Sequence, residues 1–233
     1  MLHPIALPSA SSCVSGHPPV AVVCTSSPVT SGDPHAPLRF SHARPPLRNH
    51  QPTRLAAALL EVAARGGLES ASVREVASQA GVSIGAVQHH FPTKDEMLAY
   101  SFRALADRVL TRLATVDPDI DPTRTLFAAL SQLLPLDDQR GSEAHVMAAF
   151  AVRAATSPSL SSIRSSVLFT IRTGLAIVLI RMGTPDPETR AALLVAAVNG
   201  LALDATSSPD LYPREYLTHA LHTQIHLMLD TPN

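Results

Sequence analysis

The sequence predicts an all-α protein: three short helices, the last two joined by a tight glycine turn, then six further helices behind a disordered leading tail. Three observations predict it. Aromatic residues make up only 4% of the chain and Trp is absent, so the core must be aliphatic and alanine-rich. Apolar residues recur at three- and four-residue spacing from Leu55 to Met228, with no strand alternation and no internal repeat. Two capping boxes, Ser72 to Glu75 and Thr93 to Glu96, fix where two of the helices begin.

Residues 1–50 differ from the rest. They hold nine of the 20 prolines, five of the 11 histidines and one acid, Asp33. No apolar period survives there, and each proline removes a backbone donor, so the stretch reads as disordered. It ends basic, with Arg39, Arg44, Arg48 and Arg54 uninterrupted by any acid. This reads first as a solvated linker, or as residues added by an upstream start, and second as an arm for phosphate or minor-groove contacts. Cys13 and Cys24 both fall in this tail, which fits a reduced protein without a disulfide framework. No basic residue precedes Arg39, and no run approaches the roughly 18 apolar residues of a membrane span, so the expected location is the cytoplasm.

From Arg54 the pattern turns helical. Leu55, Leu59, Val62 and Ala63 share one face of a helix that ends at Gly66-Gly67. Ser72-Val73-Arg74-Glu75 opens the second helix: the Ser72 hydroxyl can accept from the third amide while Glu75 reaches back to the Ser72 amide. Val73, Val76, Ala77 and Ala80 form its buried stripe, and Gly81 closes it. Val82-Ser83 opens a brief third helix that runs to His90, turns Val87 and Phe91 inward, and stops at Pro92. Thr93-Lys94-Asp95-Glu96 starts a long helix through Met97, Leu98, Phe102, Leu105, Val109 and Leu113. Later helices are expected over residues 123–134, 142–156, 158–182, 188–206 and 213–229.

Three helices with a glycine-closed turn before the last describe a helix-turn-helix, whose second helix enters the major groove of DNA. The third helix is short and exposes Ile84, Gly85, Ala86, Gln88, His89 and His90, which packing alone does not explain. Small residues at 85 and 86 allow close backbone approach to DNA. Gln88 can pair with a base edge, and His89 and His90 can donate to phosphate or guanine.

The run from Ser72 to Leu98, Ser-Val-Arg-Glu-Val-Ala-Ser-Gln-Ala-Gly-Val-Ser-Ile-Gly-Ala-Val-Gln-His-His-Phe-Pro-Thr-Lys-Asp-Glu-Met-Leu, closely resembles the DNA-binding signature of TetR/AcrR-type transcriptional regulators. The resemblance covers about 45 residues once the first helix is included. The Gln-His-His-Phe-Pro-Thr-Lys form and the later Asn199-Gly200-Leu201-Ala202-Leu203 are most similar to the BetI-type branch. The resemblance implies DNA contact by Arg74, by Ile84, Gly85, Ala86, Gln88, His89 and His90, and a phosphate contact by Lys94 beside Thr93. Lys94 is the only lysine in the chain. Two residues depart from the pattern: Gln88 stands where many members have Tyr, and Ile84 where Lys, Pro or Arg is common.

The resemblance further implies a homodimer built on the last two helices. Ala192, Val195, Ala196, Asn199, Gly200 and Leu203 would permit close approach, and Leu217, Leu221, Ile225 and Met228 would add an apolar stripe; packing within one subunit is the other reading. It places an effector pocket among the middle helices, with Phe127, Leu130, Met147, Phe150, Phe169 and Leu175 as apolar candidates. Arg153, Arg172 and His145 are the polar ones. The scarcity of aromatics argues against an aromatic cage for a quaternary ammonium such as choline, so an apolar or amphipathic effector is expected. His219, His222 and His226 share a face of the last helix, but no carboxylate or Cys completes a metal set, so no metal and no cofactor are expected.

The expected organisation is a tail (1–50), a three-helix helix-turn-helix DNA-binding domain (51–98) and a six-helix ligand-binding and dimerisation domain (99–233). The expected function is a ligand-responsive repressor on a palindromic operator of double-stranded DNA. The alternative is a helical small-molecule-binding or interaction protein whose helix-turn-helix no longer reads DNA. No phosphate loop, nucleophile elbow or paired catalytic carboxylates are found, so the chain is not expected to be an enzyme. Net charge is −1, divided as +3 over residues 1–54 (four Arg, one Asp) and −4 over the rest. That excludes a polycation, and DNA affinity must come from the placement of a few groups.

Overall fold

The computed structural model describes residues 50–117 and 121–230. The expectations for the tail, including Cys13, Cys24, Arg39, Arg44 and Arg48, lie outside the described residues. Among the described residues the secondary structure is entirely helical: α1 (His50–Ser70), α2 (Val73–Ala80), α3 (Ile84–His90), α4 (Lys94–Ala114), α5 (Pro122–Ser131), α6 (Asp138–Ala154), α7 (Pro158–Arg181), α8 (Pro187–Ser207) and α9 (Arg214–Asp230).

The local signals act where the sequence puts them, with some differences. Helical geometry in α1 breaks at Gly67 (φ 75°, ψ 171°), beyond which a last turn runs to Ser70. The Ser72 hydroxyl accepts from the Glu75 amide at 3.2 Å, but the reciprocal arm of that box is absent. The Ser72 amide instead donates to the Ser70 carbonyl at 2.8 Å, because the chain arrives through a tight turn. Gly81 takes the left-handed conformation (φ 65°) that ends α2 without a side-chain clash. Asp137 caps α6 by accepting from the Arg140 amide at 2.7 Å, so α6 starts at Asp138, four residues before the expected Ser142.

The first three helices form a small unit around Leu55, Leu59, Val76, Val87 and Phe91, all buried. Side chains lock α1 to α2. Arg65 Nη2 donates to Gln79 Oε1 at 2.6 Å, Gln79 Nε2 donates to Glu61, and Arg54 Nη2 reaches the Ala80 carbonyl at 3.4 Å. The expected boundary between residues 98 and 99 falls inside α4, a single uninterrupted helix that belongs to both units.

In the body, α7 is central and packs against α4, α5, α6 and α8. It is long and apolar enough to cross a membrane, and 44% of its most apolar window is buried in the protein, as befits a core helix. Phe102 of α4 and Phe150 of α6 stack at 4.6 Å between ring centres in the middle of this core. The stripe on α9 is resolved in favour of packing within the chain. Leu217, Leu221 and Ile225 are 1%, 0% and 1% exposed, held by α5 and α8, and Met228 is partly buried. Val195 is likewise core. The surface left for another chain keeps Ala196, Asn199, Gly200 and Leu203 of the expected α8 residues and adds Leu193 on α8, with Tyr216 and Leu227 on α9.

Candidate nucleic-acid interface and effector cavity

Helix α3 is held by one buried side chain of its own, Val87, and by Phe91 at its C-cap, which packs on Tyr100 at 5.2 Å between ring centres. Its N-cap, Ser83, accepts from the Ala86 amide at 3.1 Å. The rest of the helix faces outward: Gly85, Gln88 and His89 are exposed, Ala86 and His90 half-buried, and Ile84 is 41% exposed. A Cβ at Gly85 would meet only Ser83 Oγ, at 3.9 Å. The protein's own packing therefore leaves room for a side chain there, although glycine weakens a seven-residue helix.

Arg74, exposed near the start of α2, and half-buried Lys94, the first residue of α4, flank this face. Thr93 caps α4 by accepting from the Glu96 amide at 3.1 Å, and its hydroxyl lies 3.2 Å from Glu96 Oε1. Asp95, which would repel an anion at this positive helix end, lies 3.8 Å from Arg153 Nη2 of α6. Among the described residues, the polar groups of Arg74, Gln88 and Lys94 have no hydrogen bond or ion pair within the chain. His89 and His90 meet only each other, edge to face at 5.2 Å. Arg54, Arg65 and Gln79, by contrast, are all committed to the fold.

A cavity of about 290 Å³ lies between α4, α6, α7 and α8. Phe102, Met147, Leu168 and Ile171 provide apolar wall, and Arg112, Arg140, Glu143 and Arg164 are its charged groups. Glu143 is buried and held from three sides: Arg112 Nη1 at 2.8 Å, Arg108 Nη1 at 3.4 Å and Gln139 Nε2 at 3.2 Å. Arg140 is committed to Asp137 at 2.8 Å and to the Ser131 carbonyl at 2.9 Å. Arg112 Nε and Glu143 Oε2 are both buried without a hydrogen-bond partner, although Oε2 lies within ion-pair distance of Arg112 Nη1.

Of the nine ligand candidates from the sequence, Met147 alone lines this cavity. Leu130 and Phe150 are fully buried core, the latter behind Phe102. Phe127 stacks on His222 at 3.9 Å, away from the cavity. Phe169 (68% exposed) and Arg172 lie on the outer face of α7, and Arg153 faces Asp95. Leu175 is core, and His145 is exposed on α6. The same stacking commits the His222 ring to Phe127, and no group of three metal-binding side chains forms among the described residues. The sequence reading missed Arg112, Glu143 and Arg164. Its available signal was a charged residue in register with an apolar stripe: Glu143 with Val146 and Phe150, and Arg164 with Leu160, Ile163, Val167 and Ile171.

Residues 55–100 match the description of bacterial regulatory proteins of the tetR family, and residues 122–230 match the BetI-type transcriptional repressor C-terminal region. A transcriptional regulator from Rhodococcus sp. Rha1 is 67% identical and superposes with a TM-score of 0.75, over 78% of this chain and 99% of its own. The HTH-type transcriptional regulator PksA of Bacillus subtilis (strain 168) is 29% identical over 160 residues, 66% of this chain and 78% of that protein. A protein from Saccharomonospora viridis solved in complex with choline shares the fold at 19% identity, with a TM-score of 0.64 over 75% of this chain and 95% of its own. A helix-turn-helix whose outward polar groups are uncommitted, joined through α4 to a BetI-type helical body, is thus found in a chain that belongs to the TetR family of transcriptional regulators.

Proposed function

We propose that the protein is a cytoplasmic homodimeric repressor that holds a palindromic operator through two copies of α3 and releases it when a small molecule fills the body cavity. The observation that carries the reading is the contrast on the helix-turn-helix. Among the described residues, Arg74, Gln88, His89 and Lys94 have no hydrogen bond or ion pair, whereas Arg54, Arg65 and Gln79 are locked into the fold. Gln88 and His89 read base edges, while Arg74, His90, Thr93 and Lys94 hold phosphates, and Ile84, Gly85 and Ala86 set the close approach. Two-fold symmetry through the exposed α8 face, with Leu193, Ala196 and Leu203 at its centre, would place the two recognition helices on successive major grooves.

Release follows from two helices that serve both units. Helix α4 carries Lys94 at one end and Phe102, Val109 and Arg112 in the cavity wall. Helix α6 carries Glu143 and Met147, packs on α1, and ends at Arg153 beside Asp95. A ligand that fits only one spacing of α4 and α6 selects one spacing of the two heads.

Fluorescence anisotropy on DNA from upstream of the protein's own gene tests this. Binding is expected to weaken steeply with salt, and Lys94→Ala should weaken it on every sequence and lower the salt slope by about 1. Gln88→Ala should instead relax preference at one base position. Equal effects of both changes on all sequences would overturn the assignment. Binding that ignores sequence would leave a helical small-molecule-binding protein that no longer reads DNA.

A further inference from the structure

Arg164 stands apart from the other charged groups of the cavity. Arg112 and Arg108 face Glu143, and Arg140 faces Asp137. Arg164 has no hydrogen bond or ion pair among the described residues, yet it is half-buried in the wall of the 290 Å³ cavity. It also lines a second, more open space of about 300 Å³, which shares Ala151 and Leu168 with the first. Arg164 therefore lies between the apolar chamber and a more open outer vestibule. Ser161 and Ser165, one turn apart on the same helix as Arg164, put two hydroxyls into that vestibule, and neither side chain has a partner among the described residues.

The charge count of the chamber decides the ligand's sign. Its one carboxylate, Glu143, has its charge met by two guanidiniums and its Oε1 by an amide, although Oε2 accepts no hydrogen bond. No acid lining either space is left for a cationic ligand, and Phe102 is the only aromatic ring in the wall, so there is no cage for an ammonium. A half-buried, unpaired guanidinium is costly until an anion meets it, and a carboxylate can accept from it in bidentate fashion.

We infer that the cavity binds an amphipathic organic acid, with its apolar body on Phe102, Met147, Leu168 and Ile171 and its carboxylate on Arg164, assisted by Ser161 and Ser165. This rests on the reading of the cavity as the effector site and adds the chemical class of the effector. It also separates this protein's ligand from the choline held by the Saccharomonospora relative. Arg164 selects for charge, and the apolar wall selects for length and shape.

The test is calorimetric titration of the full chain, without DNA, by three probes of one chain length: octanoate, octanol and octylammonium. Octanoate should bind, octanol about tenfold or more weaker, and octylammonium not at all. Arg164→Met should lower octanoate affinity to that of octanol and leave octanol unchanged, and Arg164→Lys should restore part of the loss. Unchanged octanoate binding by Arg164→Met would overturn the inference, since a guanidinium that merely covers apolar surface predicts that result. Preference for octylammonium, or no binding by either octanoate or decanoate, would also overturn it. The two readings fail separately. A cationic effector that releases DNA defeats this inference alone, whereas Arg164-dependent octanoate binding that leaves the DNA complex intact defeats the release mechanism alone.

Discussion

The helix-turn-helix and the six-helix body treat their polar side chains in opposite ways. In the head, the polar groups that hold the fold (Arg54, Arg65, Gln79) lie along the α1–α2 seam, while Gln88 on α3 and Lys94 at the start of α4 have no hydrogen bond or ion pair among the described residues. In the body, a few charged groups are drawn into the packing and answered there: Glu143 by Arg108 and Arg112, Arg140 by Asp137, Arg190 by the Met228 carbonyl. The head thus keeps its functional chemistry where removing it costs little stability. The body mixes function with fold, because Arg112, Arg140 and Glu143 line the cavity and also brace its helices.

The strongest way to break that contrast is at Glu143. Replacing it with Ala removes the one acid between two arginines that are 47% and 22% exposed. Both can regain some water, so the expected cost is about 3 kcal/mol, near the low end for a broken buried pair. Gln88→Ala, in the head, should change stability by less than about 0.5 kcal/mol. Chemical denaturation of the two variants checks the comparison directly. Equal losses would mean that the surface of α3 is structural after all.

The same division explains what was legible in the sequence. Caps and glycine turns act within four or five residues, so Ser72, Gly81, Ser83 and Thr93 could be placed before any tertiary contact was known. The outward face of α3 was legible too, since a seven-residue helix with one buried side chain has nowhere else to put its polar groups. The cavity was not legible in this way. Its lining comes from helices far apart in sequence, and whether Phe150 or Met147 meets empty space depends on how α6 is rotated against α4. Of the aromatic residues that suggested a pocket, Phe150 became core, Phe127 stacked on His222 and Phe169 turned outward. The α9 stripe was ambiguous for a related reason: its periodicity says that one face is buried but not which chain buries it, and here α5 and α8 do. Asp137 was missed as a cap because Gly141 and the polar residues around it hide the first turn of α6.

Gly85 sharpens the comparison with a smaller effect whose two readouts have opposite signs. A methyl there meets nothing closer than 3.9 Å, so Gly85→Ala should stabilise the isolated protein by about 0.5–1 kcal/mol through helix propensity and a stiffer unfolded chain. If α3 lies deep in the major groove, the same methyl should weaken operator binding by about tenfold. Thermal unfolding and anisotropy on one preparation give both numbers. A gain in stability with no loss of affinity would show that the groove does not approach the backbone at this position.

The smallest expected effect lies in the body, at Asp137, an exposed charge that acts in a local, head-like manner. Its carboxyl is held below the ordinary value of 3.8, first by the hydrogen bond from the Arg140 amide, with partial burial opposing, and then by the Arg140 guanidinium. Because the folded-state pKa is depressed, the stabilisation is fully present above the unfolded value and is lost as pH falls through the folded one. Asp137→Asn keeps the cap and removes the charge, so it should cost only a few tenths of a kcal/mol at neutral pH. Asp137→Ala also removes the cap and should cost about 1 kcal/mol. The gap between wild type and Asn should close below about pH 4, whereas the Asn–Ala gap should not depend on pH. An Asn variant as damaged as Ala at neutral pH would show that the charge on Asp137, and with it the Arg140 pair at the cavity's edge, matters more to α6 than the cap does.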